Sequence, residues 1–140
     1  MSDAYIVEED VFSRLSQSQL IQLTDDDKVG AVNRNHVARA IEEASSTVNA
    51  YVQSRYTLPI TPVPTLLKTL TLSITIYNLY LRRQRVPEDV RKDYEAAIKQ
   101  LEKIVKGLIS LGVEAPPVAT QTGEVSGPER IFSRDKLSGF

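Results

Sequence analysis

The sequence contains no cysteine and no tryptophan, and it has a single histidine, His36. The lack of cysteine excludes disulfides, thiol nucleophiles and zinc ribbons, and it fits a reducing compartment. One histidine near the start of a predicted helix is more often a surface or capping residue than a base. The sequence also has no glycine-rich phosphate loop, nucleophile elbow or zincin motif. We therefore predict no metal, no cofactor and no enzymatic activity.

Long apolar runs and an excess of one charge are also missing. Lys and Arg number 17 against 18 Asp and Glu, which gives a formal net charge of -1. No apolar run approaches the roughly 20 residues that span a bilayer, and the N-terminus MSDAYIVEED lacks the features of a signal peptide. The sequence predicts a soluble, intracellular protein without a membrane partner, in which any basic contact is local.

What the sequence does contain is helical periodicity over most of its 140 residues. Two short helices are indicated near the start, EEDVFSRL at 8–15 and SQSQLIQLT at 16–24. In the second, Ser16 and Gln19 have the spacing of a capping box. A long helix follows at 33–56, with Asn33 or Asn35 as its cap. Its apolar stripe is Val37, Ile41, Ala44, Val48 and Tyr51.

Two further long helices follow a proline-rich crossover. The crossover, YTLPITPVPTLL at 56–67, is predicted to be extended and stiff. The helix at 66–83 is apolar on nearly every side and should be central; its Thr and Ile content permits a strand, but its length favours a helix. The last helix, at 86–107, has Pro87 placed for its first turn, and Gly107 is either its C-terminal cap or a weak point.

The fold class is therefore all-α, a compact bundle of three long helices and one or two short N-terminal ones. We assign residues 1–112 to this bundle. Residues 113–140 have no helical period and are rich in Pro, Gly, Ser and Thr up to position 129, which is typical of a linker. They are predicted to form a flexible linker and a C-terminal interaction arm.

One segment has part of a calcium-loop pattern. In TDDDKVGAVNRNH at 24–36, Asp25, Asp27 and Gly30 match positions one, three and six of an EF-hand loop. Val29 occupies a ligand position, and His36 stands where the bidentate glutamate is required. We interpret the segment as an acidic turn that leads into a helix cap.

A basic corner is the first candidate contact surface. Five basic residues fall within RRQRVPEDVRK: Arg82, Arg83, Arg85, Arg91 and Lys92. The corner is either a solvated helix junction or a contact for phosphate or an acidic protein. Neighbouring acids dilute its charge, and no stacking aromatics accompany it. A small helical DNA-binding or regulatory module that uses this corner is the alternative function.

The C-terminal arm is the second candidate surface. Its apolar and basic residues have the pattern of a tethered peptide ligand, in which apolar anchors enter a groove and basic groups orient them. Alternatively, the arm folds back onto its own bundle. The predicted partner-binding residues are Arg130, Ile131, Phe132, Arg134, Leu137 and Phe140.

Several stretches together resemble the Mu-like phage family of small head-tail joining proteins. They are LIQLTD at 20–25, YVQSRYTLP at 51–59, PEDVRKDYEAAIKQLEKI at 87–104, GLISLG at 107–112 and FSRDKLSGF at 132–140. The resemblance implies a structural adaptor, or connector, that forms a ring of helical subunits in the neck of a virion assembled in the bacterial cytoplasm. Its implied partners are further copies of itself, the portal protein and tail-side neck proteins, while DNA passes through the channel without sequence recognition. No catalytic residue is implied.

Overall fold

The structure, a computed structural model, describes residues 4–112. Over this range the chain forms five α-helices and no strand. They are α1 (Glu8–Arg14), α2 (Gln17–Thr24), α3 (Arg34–Val52), α4 (Thr65–Arg82) and α5 (Glu88–Val105). The prediction of an all-α bundle with three long helices and two short N-terminal ones is confirmed, and the strand alternative for α4 is wrong.

The helix starts follow local side-chain chemistry. The Ser16 hydroxyl accepts a hydrogen bond from the Gln19 amide at 3.1 Å, and the Gln19 side chain accepts one from the Ser16 amide at 2.9 Å. This completes the predicted capping box of α2. Asn33, rather than Asn35, caps α3, because its side-chain oxygen accepts from the amides of Asn35 and His36. Pro64 and Pro87 directly precede α4 and α5.

Helix α4 is the centre of the bundle, and all four other helices contact it. Helices α3 and α5 lie along it, whereas α1 and α2 pack near its C-terminal half. Its buried residues occupy several faces: Leu67, Leu70, Thr71, Ile74, Thr75, Ile76 and Leu79. Each fully buried Leu or Ile stabilises the fold by about 1.5–3 kcal/mol relative to an exposed one. The other four helices thus pack around one central apolar helix.

The core divides into two apolar clusters along α4. One cluster joins the second half of α3, the first half of α4, α5 and the crossover, and includes Val48, Leu67 and Leu101. The other joins α1 and α2 to the first half of α3 and the second half of α4, and includes Val11, Leu20 and Leu79. The short helices therefore cover the end of the bundle that α5 leaves open.

Three tyrosines link the long helices at the edge of the first cluster. The rings of Tyr77 and Tyr94 stack at a centroid distance of 3.9 Å. Burial raises the pKa of the Tyr94 hydroxyl above its ordinary value, and the neighbouring Tyr77 and Tyr51 add to the increase. The stack fixes the rotation of α5 about α4.

The end of α5 turns the chain back onto the bundle. Gly107 has φ 79°, and its amide and that of Leu108 donate to the carbonyls of Ile104 and Lys103. This is the two-bond cap that a left-handed residue makes at a helix C-terminus, so Gly107 is a cap rather than a weak point. Leu111 is then buried, and its amide donates to the Tyr56 hydroxyl at 3.3 Å. The chain thus reaches Gly112 beside the crossover between α3 and α4.

The interior of α4 generates a stability prediction. Thr71 is fully buried, and its hydroxyl has no hydrogen-bond partner among residues 4–112. We expect Thr71→Val to raise the free energy of unfolding by about 1 kcal/mol, because valine keeps the shape and removes an unsatisfied polar group. Thr75→Val is the matched control, since the Thr75 hydroxyl donates to the Thr71 carbonyl at 2.8 Å and its loss should not stabilise. Denaturant melts of both variants measure the difference; a less stable Thr71→Val protein would contradict the prediction.

Candidate functional site

The predicted basic corner lies where α4 ends and α5 begins, and two of its arginines are used inside the molecule. One guanidinium nitrogen of Arg82 donates to the Leu23 carbonyl at 2.6 Å, and another contacts Asp26 at 2.7 Å. Arg83 donates to the Gln22 carbonyl at 3.1 Å. The last carbonyls of a helix have no partner within it, so these arginines complete the end of α2 and neutralise its partial negative charge.

Asp26 is the shared acceptor at this junction. Its carboxylate lies 2.7 Å from Arg82, 3.3 Å from Arg83 and 3.1 Å from the Nε2 atom of His36. The hydrogen bond from Arg82 is the main reason that the pKa of Asp26 is lowered, and the charges of Arg82, His36 and Arg83 add to it. The cluster joins the end of α2, the start of α3 and the end of α4.

The other three basic residues of the corner face solvent. Arg85 is exposed and makes no ion pair with any residue between 4 and 112. Arg91 lies 3.9 Å from both Glu88 and Glu95, and Lys92 lies 3.5 Å from Glu88. Exposed pairs of this kind contribute roughly 0–1 kcal/mol. The five residues therefore separate into a structural pair and three surface charges mixed with acids.

The α2–α3 loop is built around Asp25, which is buried. Its two carboxylate oxygens accept hydrogen bonds from the amides of Val29 and Gly30 at 2.9 and 2.7 Å. These bonds hold the pKa of Asp25 below its ordinary value, against the opposing effect of burial. Within residues 4–112 no group of His, Cys, Asp or Glu side chains is arranged to bind a metal ion. The interpretation of this segment as an acidic turn before a helix cap fits this geometry.

Two surface grooves flank α1. The apolar groove, of about 410 Å³, is lined mainly by Phe12, Leu15, Leu20, Ala31 and Val32. The acidic groove has a larger volume, about 710 Å³, and runs between residues 6–9 and the first half of α3. Between them, Arg34 lies 2.7 Å from Glu8 and 5.1 Å from the centre of the Phe12 ring. Sequence reasoning did not find either groove, because each is made by segments that are distant in the chain.

The predicted partner-binding residues of the arm lie outside the described residues. They are Arg130, Ile131, Phe132, Arg134, Leu137 and Phe140. What the structure does give is the point from which the arm starts, at Gly112 beside Tyr56. None of the five helices is long and apolar enough to cross a membrane.

Comparison with known proteins identifies the family. The family model described as "Bacteriophage Mu, Gp36" matches residues 5–127, which include the whole helical bundle. The chain belongs to this family. The Gp36 match stops before residues 130–140, the part of the arm that carries the predicted anchors.

Two curated relatives have nearly the same length as this Gp36 chain. The "Mu-like prophage FluMu protein gp36" of Haemophilus influenzae is 33% identical over 139 residues, 97% of each chain. "Gene product J" of Escherichia phage Mu is 29% identical over 141 residues, 97% of this chain and 98% of that protein. The predicted resemblance to Mu-like phage proteins is confirmed.

The Asp26 junction and the tyrosine stack were not identified from the sequence of this Gp36 chain. Asp26 lies in an acidic run, and nothing in the run distinguishes it from Asp27. Its three partners come from positions 36, 82 and 83, so only the tertiary structure brings them together. The arginines at the end of a long helix were the available signal, because cations are favoured there. They stand at the C-terminus of α4, but their side chains bind the C-terminus of α2.

The Arg82 junction yields one prediction. Arg82→Ala should lower the free energy of unfolding by about 1–3 kcal/mol, because it removes charge-assisted hydrogen bonds to a helix-end carbonyl and to Asp26. Arg85→Ala removes the same charge at an exposed position nearby and should leave stability within about 0.5 kcal/mol of the wild type. Denaturant melts of both proteins measure the two changes in the free energy of unfolding. Equal losses in the two variants would contradict the assigned role of Arg82.

The Asp25 cap yields a pH prediction. Because its pKa is lower in the folded state than in the unfolded state, its stabilising contribution is complete above about pH 5 and is lost as the pH falls through the unfolded-state and then the folded-state pKa. Asp25→Asn should therefore be less stable than the wild type at pH 6, and the gap should narrow towards pH 3. Asp27→Asn, the same change at an exposed position, is the control. A gap that stays constant with pH would rule out the ionised cap as the cause.

Proposed function

We propose that this Gp36 protein is a structural head-tail adaptor that forms a ring in the neck between the portal and the tail of a phage particle. The observation that carries the proposal is the family match over residues 5–127, supported by end-to-end similarity to a protein of phage Mu. The adaptor role itself comes from the resemblance to head-tail joining proteins. In this role the protein is not an enzyme and needs no cofactor.

The layout of the bundle supports a ring subunit. The arm starts at Gly112, beside the end of α3, whereas both grooves lie near the start of α3. The α3 residues that line the grooves, 34–42, lie 10–18 helical residues from the end of α3, which at 1.5 Å each is roughly 15–27 Å. A subunit that carries a ligand segment at one end and recesses at the other suits head-to-tail contacts, which close into a ring when the rotation allows.

The proposed partners are further copies of this chain, the portal protein and the tail-side neck proteins, assembled in the bacterial cytoplasm. DNA passes through the channel without sequence recognition. The alternative, a DNA-binding regulator, would rely on Arg85, Arg91 and Lys92, because Arg82 and Arg83 bind the end of α2. Glu88 and Glu95 beside the remaining charges weaken the local positive field. The basic corner therefore favours the adaptor over the regulator.

Deletion of the gene in an inducible Mu-like prophage that encodes this protein tests the proposal. We expect lysates with DNA-filled heads and complete tails that remain separate in negative-stain electron microscopy. Infectious particles should fall by several orders of magnitude, and a plasmid copy of the wild-type gene should restore them. The plasmid-borne Arg85→Ala protein should complement as well as the wild type, since only a DNA-binding regulator would depend on that side chain.

Other outcomes would contradict the adaptor role. Joined, morphologically complete particles in the deletion lysate would show that heads and tails join without this protein. Loss of late transcription or of DNA replication before any heads appear would instead support the regulator.

A further inference from the structure

The acidic groove, defined above by residues 6–9 and the first half of α3, combines an apolar floor with charged walls. Ile6 and Ile41 are buried beneath it, with 4% and 5% exposure, while Val7 is 58% exposed and Ala38 is also exposed. Single exposed valines are common on the surfaces of monomeric proteins, so the exposure of Val7 alone does not indicate a binding site. Together with Ala38 it gives the groove an open apolar strip on which another chain could lie.

Three of the four charged side chains on the walls of this groove form no ion pair within residues 4–112. Glu8 is neutralised by Arg34, but Glu9 and Glu42 are exposed and form no ion pair there. Arg39, the one base in the lining, is likewise unpaired in that part of the chain. The groove therefore offers two free carboxylates and one guanidinium around an apolar strip. It suits a segment that is mainly basic, has apolar anchors and carries one acid.

The arm has that composition. Residues 130–140, RIFSRDKLSGF, contain three basic residues, one acid at Asp135, and apolar anchors at Ile131, Phe132, Leu137 and Phe140. We propose that the acidic groove binds residues 130–140 of a neighbouring copy of this chain. Glu9 and Glu42 meet the basic residues of the arm, and its apolar anchors cover Val7 and Ala38. This inference rests on the proposed ring.

The length of the linker permits this contact. Residues 113–129 can span up to about 56–61 Å when fully extended, which exceeds the roughly 30 Å between the two ends of a bundle. A neighbouring groove is therefore within reach. Each copy has one arm and one groove, so the contact joins two different surfaces and can repeat around a ring until it closes. Docking of every arm on its own subunit would add no contact between subunits.

Modest contacts suffice for such an arrangement. Exposed ion pairs contribute little to affinity, so the apolar anchors must provide most of it and the charges mainly the orientation. Once neighbouring subunits are held side by side in the ring, the tether keeps the arm near the adjacent groove at a local concentration in about the millimolar range, and the contacts add around the ring.

A photo-cross-linking experiment on the full chain tests the proposal. Benzoylphenylalanine replaces Phe132, and unlabelled and ¹⁵N-labelled chains are mixed, concentrated and irradiated. Mass spectrometry should find the cross-link on residues 6–9 or 35–42, in peptide pairs that combine one labelled and one unlabelled chain. Cross-links confined to single chains, cross-links on the apolar groove, or no cross-link to the bundle would each overturn the proposal.

Charge variants of the same photoreactive chain test the recognition. Glu42→Lys should lower the cross-link yield about twofold to fivefold, as expected when an exposed ion pair is lost. Glu43→Lys, an equal change on the next residue of α3 outside the groove lining, should leave the yield unchanged. Adding Arg134→Glu to Glu42→Lys should recover part of the yield. Arg134→Glu alone should lower it without touching the bundle, so the test does not depend on how the Glu42→Lys protein folds. Equal yields in the Glu42 and Glu43 variants would overturn the charge matching.

This result can fail independently of the adaptor role. If heads and tails require the protein but the cross-link falls elsewhere, only the groove assignment is wrong. If the cross-link falls in the groove but the deletion lysate has joined particles, the arm contact stands and the neck position is wrong.

Discussion

Helix α4 has to be covered on nearly every side, and the rest of the bundle follows from this constraint. Its buried side chains include Leu67 and Ile74 on one face and Ile76 on the opposite face. One partner helix cannot cover them all, so α3 and α5 pack along it and α1 and α2 close the remaining surface near its C-terminal half. The apolar area that α4 buries is the main favourable term in the stability of such a domain.

The short helices need a second interaction, because about eight residues are too few for an independently stable helix. The arginines at the end of α4 provide it. Arg82 and Arg83 satisfy the free carbonyls of α2 and meet Asp26, which also contacts His36. In the sequence, the basic corner was the candidate for a nucleic-acid contact. In the structure, two of its five residues, Arg82 and Arg83, instead join α4 to α2.

Membership of the Gp36 family gives the protein its phage context, and the geometry adds where contacts could form. The bundle places the start of the arm beside the end of α3 and the two grooves along its first half. A tethered arm and a remote groove are the elements of a head-to-tail contact. The proposed contact with another copy requires a linker long enough to cross between subunits, and the polar and proline-rich composition of residues 113–129 suits such a linker.

The sequence by itself determined the helices, their order and the candidates for their caps. Period and capping are local properties, and residues such as Ser16, Asn33 and Gly107 satisfy backbone groups within a few positions of themselves. Only the tertiary structure decided which face of α1 lies against α3, and so created the acidic groove. The tertiary structure also decided that Arg82 points inward and Arg85 into solvent, although both belong to one basic run. These outcomes depend on contacts between residues that are distant in the chain, 26 positions for Arg34 with Glu8 and 56 for Arg82 with Asp26, and no local pattern encodes them.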